Sequence, residues 1–375
     1  MKIAFDAKRA LNNHTGLGVY ARALLSGMFS EFPEHEYFLF SPKADEHLLQ
    51  QLQGAFKLCL PQGLINRIFP ALWRSVGANP QLRSLRTDIY HGLSNELPFA
   101  VHRHTRAAVV TIHDLIFLKN PEQYFVADRI IYHIKTRYAA KCAAKIIAVS
   151  NETKKDLIER YKISDEKIEV IYPAADTRFE VPVTADEIQR VKSKYNLPQR
   201  YLLHVGAFFP RKNHIRLLDA FHKIHRDTDA MLVLAGYGGF MLRKVQEHTA
   251  HLGLTNRVVI LNRVHGDDLP ALYAGSEMMV YPCLYEGFGI PVLEAMWQQA
   301  PVITTACSAM AEAAGGHALL VNPYEVDDLA DNILQLLQNE RLRNKLKQDG
   351  FQHAKNFSSK NLAARTMQVY RELTG

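Results

Sequence analysis

Two glutamates flank a glycine-containing turn in the second half of the chain. Glu286 and Glu294 have seven residues between them, and Gly287 and Gly289 make that stretch permissive for a turn. An apolar strand is predicted before the turn, and Pro291 favours the first turn of a helix after it. We therefore predict Glu286 in the loop and Glu294 in the first helical turn, both facing a crevice at the strand's carboxyl end. Carboxylates there suit a hydroxyl-rich ligand, because each oxygen accepts charge-assisted hydrogen bonds. The alternative is an ordinary strand–turn–helix corner whose glutamates favour the helix N-terminus.

A pair of adjacent cations follows another predicted strand. Arg211 and Lys212 stand between an apolar run at 201–206 and a helix predicted from about 214 to 225. Cations and helix N–H groups both attract anions, so this position favours binding of a diphosphate. The alternative is a solvated turn.

Two further signals lie in the first half. Gly16 and Gly18 follow the first predicted strand, in a loop where backbone N–H groups could approach a phosphate. The third glycine of a dinucleotide-binding fingerprint is missing. His113 comes directly after the apolar run 107–112, again at the ligand-facing end of a predicted strand. A structural histidine is the alternative there.

Composition narrows the class of protein. The chain has 375 residues, 47% of them hydrophobic and 22% charged, which predicts a globular protein of two domains. Its four cysteines are scattered, so we expect neither a zinc site nor a disulfide framework. The first residues predict a strand rather than a signal segment, and no apolar run is long enough to span a membrane. We therefore expect a cytoplasmic protein.

The formal net charge of +7 indicates an anionic partner or surface. We expect no nucleic-acid binding, because the cations are dispersed and no recognition motif is present. Segment 47–87 has no acidic residue, and it mixes Trp73 with Arg67 and Arg74. Such a segment could lie on an anionic membrane surface. Alternatively, it is a surface helix whose apolar side packs on its own domain.

Strands and helices alternate in two successive series. This pattern predicts an α/β protein with two Rossmann-like, doubly wound domains facing each other across a cleft. We place the first domain at 1–177, a charged linker at 178–198 and the second domain at 199–358. The last predicted helix, within 359–375, could pack back on the first domain.

The chain resembles the retaining glycosyltransferases of family 4, a GT-B-fold group that includes bacterial mannosyltransferases of polysaccharide assembly. The Glu286 and Glu294 pair, together with Arg211-Lys212-Asn213, is the most specific part of the resemblance. The matching motifs run nearly end to end: Thr15-Gly-Leu-Gly-Val-Tyr, Ile112-His-Asp-Leu, Ala148-Val-Ser-Asn-Glu-Thr, Phe209-Pro-Arg-Lys-Asn, Tyr285-Glu-Gly-Phe-Gly-Ile-Pro-Val-Leu-Glu-Ala and Leu319-Leu-Val-Asn-Pro.

The resemblance implies roles for nine positions. Arg211 and Lys212 would bind the donor diphosphate and neutralise charge on the departing nucleotide. His113 would approach the transferred sugar, Glu286 would hold its hydroxyls and Glu294 would bind the ribose. The remaining donor-binding positions are Gly16, Gly18, Phe288 and Gly289.

The resemblance also implies a mechanism. The leaving phosphate would deprotonate the incoming hydroxyl, so no catalytic base or enzyme nucleophile is assigned. We expect no cofactor and no divalent metal, because the two cations can stabilise the leaving group.

The substrates follow from the same resemblance. GDP-mannose is the favoured donor, as in mannosyltransferases that extend O-antigen-type chains, and UDP- and dTDP-sugars stay open. The acceptor would be a growing, lipid-linked glycan at the inner face of the cytoplasmic membrane. Two other readings are a GT-B-fold nucleotide-sugar epimerase and a catalytically silent glycan-binding scaffold.

Overall fold

The chain folds into two units, each built on one parallel sheet. The computed structural model describes residues 1–63, 66 and 68–375. One unit comprises Met1–Asp176 with Ser358–Gly375, and the other comprises Thr177–Phe357. Their sheets have seven and six strands, with helices between successive strands. The prediction of two doubly wound α/β domains is confirmed.

The strand order changes direction once in each sheet. The first sheet runs β3-β2-β1-β4-β5-β6-β7 and the second runs β10-β9-β8-β11-β12-β13. Each order therefore has a switch point, between β1 and β4 and between β8 and β11, where doubly wound folds bind ligands. The first sheet contains β1 (Lys2–Asp6), β2 (Glu36–Phe40), β3 (Lys57–Cys59), β4 (Ile89–Gly92), β5 (Ala107–Ile112), β6 (Lys145–Ala148) and β7 (Ile168–Val170). The second contains β8 (Tyr201–Val205), β9 (Met231–Gly236), β10 (Val258–Asn262), β11 (Met278–Val280), β12 (Val302–Thr305) and β13 (Leu319–Val321).

The helices connect these strands. Those of the first unit are α1 (Lys8–Asn12), α2 (Gly16–Glu31), α3 (Glu46–Gln50), α4 (Pro70–Leu72), α5 (Asn79–Leu85), α6 (Ile116–Lys119), α7 (Val126–Cys142), α8 (Asn151–Tyr161) and the final α17 (Ser359–Thr374). Those of the second unit are α9 (Ala185–Lys194), α10 (His214–Ile224), α11 (Leu242–His251), α12 (Leu269–Ala274), α13 (Ile290–Trp297), α14 (Met310–Ala314), α15 (Val326–Gln338) and α16 (Glu340–Ala354).

The region predicted as a linker, 178–198, belongs to the second unit. Ten of its residues form α9, which starts with a capping box. Arg190 and Lys194 on α9 bind Asp268 at 2.9 and 2.6 Å, and only 4% of the Asp268 side chain is exposed. The charges that suggested a linker therefore attach the helix to the domain.

Only part of the acid-free segment 47–87 is exposed at the surface. Trp73 is 1% exposed, and Arg74 lies buried at 2.7 Å from Asp6 and 2.6 Å from Glu96. Both side chains are buried, so neither can contact a membrane surface, and for these two residues the alternative of packing on their own domain is the correct one. Arg67 lies outside the described residues.

Other side chains of this segment are exposed. Ile68, Phe69 and Leu72 expose 58%, 57% and 52% of their surface. In the part of the chain that the structure describes, no helix has both the length and the apolar composition to cross a bilayer.

The final helix packs on the first unit through a glycine. A Cβ atom at Gly27 of α2 would lie 2.3 Å from the backbone oxygen of Ser359 and 2.9 Å from the Cβ of Ala363. With that Cβ in place, the two helices would have to move apart. The absence of a side chain at Gly27 thus sets how closely α17 approaches α2.

We predict that Gly27→Ala lowers the free energy of unfolding by about 1–3 kcal/mol, because the added methyl group overpacks this interface. Urea unfolding followed by circular dichroism measures the change. Gly16→Ala is the matched control: it also lies in α2, and no atom lies within 4 Å of its added Cβ. The interface is not close-packed if Gly27→Ala is as stable as Gly16→Ala.

Candidate active site

The predicted cations and the first glutamate meet at the switch point of the second sheet. Arg211 and Lys212 follow β8, and Glu286 follows β11. These strands are neighbours and parallel, so the loops after them leave the same edge of the sheet. No local sequence pattern indicated that Arg211 and Glu286 form a direct pair, because 75 positions separate them.

Both cations bind one carboxylate oxygen. The Nζ of Lys212 lies 2.6 Å from the Oε1 of Glu286, and the Nε of Arg211 lies 3.3 Å from the same oxygen. Lys212 also donates to the hydroxyl of Tyr281. The side chain of Lys212 is 8% exposed, and those of Arg211 and Glu286 are 22% and 20% exposed. These three residues carry one net positive charge at a partly open position, which attracts an anion.

The protonation states here follow from burial and charge. Burial alone would raise the pKa of Glu286, but the cations of Lys212 and Arg211 outweigh it and hold that pKa below its ordinary value. Glu286 is therefore an ionised hydrogen-bond acceptor at neutral pH. Burial raises the pKa of the neighbouring Cys283 thiol to about 12, so that thiol is protonated and is not a nucleophile.

An asparagine that the sequence analysis named only within a motif fixes the cationic turn. Asn213 has φ of 61°, in the left-handed region that asparagine tolerates better than most residues. Its side-chain amide donates to the carbonyl oxygens of Pro282 and Pro323 at 3.0 and 2.7 Å. Asn213 thereby ties the Arg211 and Lys212 turn to the loops after β11 and β13.

The glycine turn starts α13 as predicted. Gly289 has φ of 113° and directly precedes Ile290, the first residue of the helix, with Pro291 next. Phe288 is 4% exposed and packs beside Phe357, with ring centroids 5.8 Å apart. Phe288 therefore anchors the turn in the second unit.

Glu294 lies farther along α13 than predicted. The helix begins at Ile290, so Glu294 is its fifth residue and belongs to the second turn; its placement in the first turn was wrong. Its side chain is buried, and its Oε2 accepts a hydrogen bond from the hydroxyl of Tyr273 at 2.9 Å. The two glutamates thus have different partners: Glu286 pairs with cations, and Glu294 with a phenol.

His113 is held in one tautomer in the first unit. Its Nε2 lies 2.9 Å from the carbonyl oxygen of Leu93, which can only accept, so Nε2 carries the proton. Its backbone N–H donates to the Oδ1 of Asn95 at 2.8 Å. Burial lowers the pKa of His113 to about 4, although the bond to Leu93 opposes that shift. The ring is therefore neutral near pH 7, with Nδ1 able to accept.

A buried hydrogen-bonded network lies beside His113. The ring of Tyr20 meets that of His113 edge to face, with centroids 4.7 Å apart. From the Tyr20 hydroxyl, bonds of 2.9, 2.8 and 2.5 Å lead through Thr111 and His91 to Tyr370 of α17. The sequence analysis missed this network, because Tyr370 is 279 residues from His91 and has no local signal.

The two glycines lie in the first turn of α2 rather than in a loop before it. A Cβ at Gly18 would lie 1.8 Å from the backbone oxygen of Asn13, so only glycine fits there. The N–H of Gly18 donates to the carbonyl of Thr15 at 2.8 Å, so it is not free for a phosphate. Gly18 therefore permits close packing of the backbone, and Gly16 has open space beside it.

The sites of the two units differ in chemistry. The structure places His113, Gly16 and Gly18 in the first unit, and Arg211, Lys212, Glu286, Phe288, Gly289 and Glu294 in the second.

Among the described residues, no cluster of three or more His, Cys, Asp or Glu side chains could hold a metal ion. An Asp-x-Asp triplet, Asp227 to Asp229, precedes β9 at the amino end of that strand.

Comparison with known proteins agrees with this architecture. Residues 14–179 match the profile of Glycosyltransferase Family 4, and residues 185–353 match that of Glycosyl transferases group 1. The chain is 33% identical over 299 residues to O-antigen chain mannosyltransferase B of Escherichia coli, covering 78% of this chain and 76% of the relative.

Solved structures resemble the whole chain. A glycosyltransferase from Rickettsia africae has a TM-score of 0.77 at 19% identity, over 99% of this chain and 98% of that one. Anabaena HepE, solved with UDP and glucose, has a TM-score of 0.76 at 18% identity, over 99% and 100%. At such identities the likeness shows the fold, which is GT-B. With both of its domains matched and a relative at 33% identity over most of each chain, this protein belongs to the family 4 glycosyltransferases.

Proposed function

We propose that the protein is a retaining hexosyltransferase that moves mannose from GDP-mannose to a growing, lipid-linked glycan. One observation carries the proposal: Arg211 and Lys212 converge on Glu286 at the ligand-binding edge of the second sheet. Cations suit a diphosphate leaving group, and an ionised carboxylate suits sugar hydroxyls. The three side chains together match the two halves of a nucleotide-sugar.

The proposed step needs no enzyme nucleophile. The bond from the anomeric carbon to the diphosphate breaks, and the acceptor oxygen bonds to the same carbon on the same face. The acceptor's proton passes to an oxygen of the leaving phosphate. Arg211 and Lys212 stabilise the negative charge that develops on the leaving group, so we expect transfer without a divalent metal.

The neutral His113 orients the sugar in this scheme. Because Leu93 occupies its Nε2–H, the ring has only Nδ1 to offer, as an acceptor for a sugar hydroxyl. Tyr20 supports the ring from the side. His113 is thus a binding group and not an acid near pH 7.

The relatives support mannose as the transferred sugar more strongly than they support any particular nucleotide of the donor. The 33% identical relative is named an O-antigen chain mannosyltransferase, which favours mannose here. HepE was solved with UDP and glucose, so UDP-sugars stay an alternative donor.

Transfer assays in EDTA test the proposal. We predict mannose transfer from GDP-mannose to an α-linked mannobiose, with an α-linked product by NMR. Lys212→Ala should lower kcat/KM by about 100- to 1,000-fold, the usual effect of removing one group that stabilises transition-state charge. Lys223→Ala is the matched control, because it removes a lysine from an exposed ion pair of the same unit.

Other outcomes would contradict the proposal in different ways. Conversion of the donor without any acceptor would indicate an epimerase. Mannobiose binding without transfer from any nucleotide-sugar would indicate a scaffold. A β-linked product would exclude retention.

We further infer that the exposed apolar side chains of segment 68–76 contact an anionic membrane that carries the acceptor. Ile68, Phe69 and Leu72 are each more than half exposed. The segment's surroundings in the sequence are basic and free of acids from 47 to 87, which suits anionic lipid.

Substitution of two of these residues tests the membrane contact. We predict that Phe69→Ser with Leu72→Ser reduces co-sedimentation with phosphatidylglycerol vesicles at least threefold, because less apolar surface enters the lipid. Val181→Ser is the control, since Val181 is 63% exposed but lies in the other unit. Unchanged sedimentation of the double variant would rule out this contact surface.

A further inference from the structure

We propose that Glu286 selects the sugar-bearing donor over the bare nucleoside diphosphate, because its carboxylate competes with a diphosphate for Lys212 and Arg211. In the structure, this carboxylate occupies the two cations that a diphosphate would need. A bare diphosphate displaces the carboxylate without compensation, whereas an attached sugar offers the displaced carboxylate new hydrogen-bond donors. This inference rests on the proposed function, because it assigns a specificity role within that donor site.

The competition is for the same N–H groups. One carboxylate oxygen of Glu286, Oε1, lies 2.6 Å from the Nζ of Lys212 and 3.3 Å from the Nε of Arg211. An ammonium group has three donors, and Lys212 already uses two of them, for Glu286 and for the hydroxyl of Tyr281. Only one donor and 8% of the Lys212 side chain are then left for a further anion. A diphosphate that binds both cations therefore competes with Glu286.

The charges of the site make this exchange costly for a bare diphosphate. Burial would raise the pKa of Glu286, but Lys212 and Arg211 hold that pKa below its ordinary value, so the carboxylate is ionised. Once a diphosphate takes the cations, this carboxylate lies beside another anion, with only 20% of its side chain exposed. Repulsion between the two anions and the lost hydrogen bonds of a partly buried carboxylate both weaken binding.

A donor sugar can supply the missing hydrogen bonds. Each hydroxyl of a hexose can donate to an ionised carboxylate. The backbone of Glu286 stays in place during such an exchange, because the hydroxyl of Ser308 donates to its carbonyl oxygen at 2.6 Å. Rotation of the Glu286 side chain is then sufficient to move the carboxylate from the cations to a sugar. The sugar thus offsets the cost that a bare diphosphate has to bear.

The same competition favours release of the product. After transfer, the nucleoside diphosphate no longer carries the sugar, so Glu286 has lost the hydroxyl donors that held it away from the cations. Return of the carboxylate to Lys212 and Arg211 then displaces the diphosphate. Product release limits the rate of many enzymes, so this return shortens the time for which a spent donor blocks the site.

Calorimetric titration of Glu286→Gln with GDP and GDP-mannose tests the competition. The amide keeps the shape of the side chain but removes the charge that competes for the cations. We predict that Glu286→Gln binds GDP about tenfold more tightly than wild type, the size of one charge-assisted contact, and that the preference for GDP-mannose over GDP falls at least tenfold. Glu247→Gln is the matched control, because Glu247 forms an exposed ion pair with Arg243 in the same unit. Its affinities should stay within twofold of wild type.

Pyrophosphate separates this inference from the proposed function, because it has neither a base nor a sugar. Glu286→Gln should bind pyrophosphate about tenfold more tightly than wild type, and addition of Lys212→Ala should abolish the gain, even if no nucleotide bound. Equal or weaker pyrophosphate binding by Glu286→Gln would overturn the competition and leave the transferase proposal intact. Glu286→Ala also removes the charge and carries the same expectation, so it decides the matter if Glu286→Gln fails to fold.

Discussion

The candidate site of the second unit depends on a carboxylate that is shared by two cations. Glu286 neutralises part of the charge of Lys212 and Arg211, and it does so where only about a fifth of its side chain meets solvent. Without Glu286, two adjacent cations would lie in a partly buried position, which repulsion and lost hydration both disfavour. The same pairing keeps Glu286 ionised. In the proposed donor site, this arrangement leaves one net positive charge for an anion and an ionised carboxylate that can accept hydrogen bonds from hydroxyl groups.

In the first unit, His113 and the residues behind it are held by neutral groups instead. Burial lowers the pKa of His91 to about 3 and that of His113 to about 4, so both rings are uncharged and must find hydrogen-bond partners. Tyr370, on the last helix, supplies one partner to His91. The end of the chain thus completes the packing behind a candidate site residue, and Gly27 lets that helix approach closely.

Local patterns predicted much of this structure. The bounds of β5 at Ala107–Ile112 were predicted correctly, because a fully buried strand reads as a continuous apolar run. Gly289 and Pro291 correctly marked the start of α13. The short strands β3 and β13 were missed, since a strand of three residues is too short to give a periodic signal.

The remaining features depend on partners distant in sequence. Nothing near Arg74 in the sequence shows that Asp6 and Glu96 neutralise it, so membrane contact and packing on its own domain both stayed open for this buried residue. The charges on α9 were interpreted as a linker because their partner, Asp268, lies over 70 residues away. Side-chain pairing across such separations follows from the fold, and no local sequence pattern encodes it.

Calorimetric titration of the protein with nucleoside diphosphates in EDTA tests the central claim most directly. The claim is that Arg211 and Lys212 form the anion-binding half of a donor site. It predicts that GDP binds more tightly than UDP, ADP or dTDP, and that Lys212→Ala weakens binding at least tenfold while Lys223→Ala does not. Selective UDP or dTDP binding would keep the site and change the donor. If no nucleotide bound, or if Lys212→Ala bound as wild type does, the claim would be contradicted.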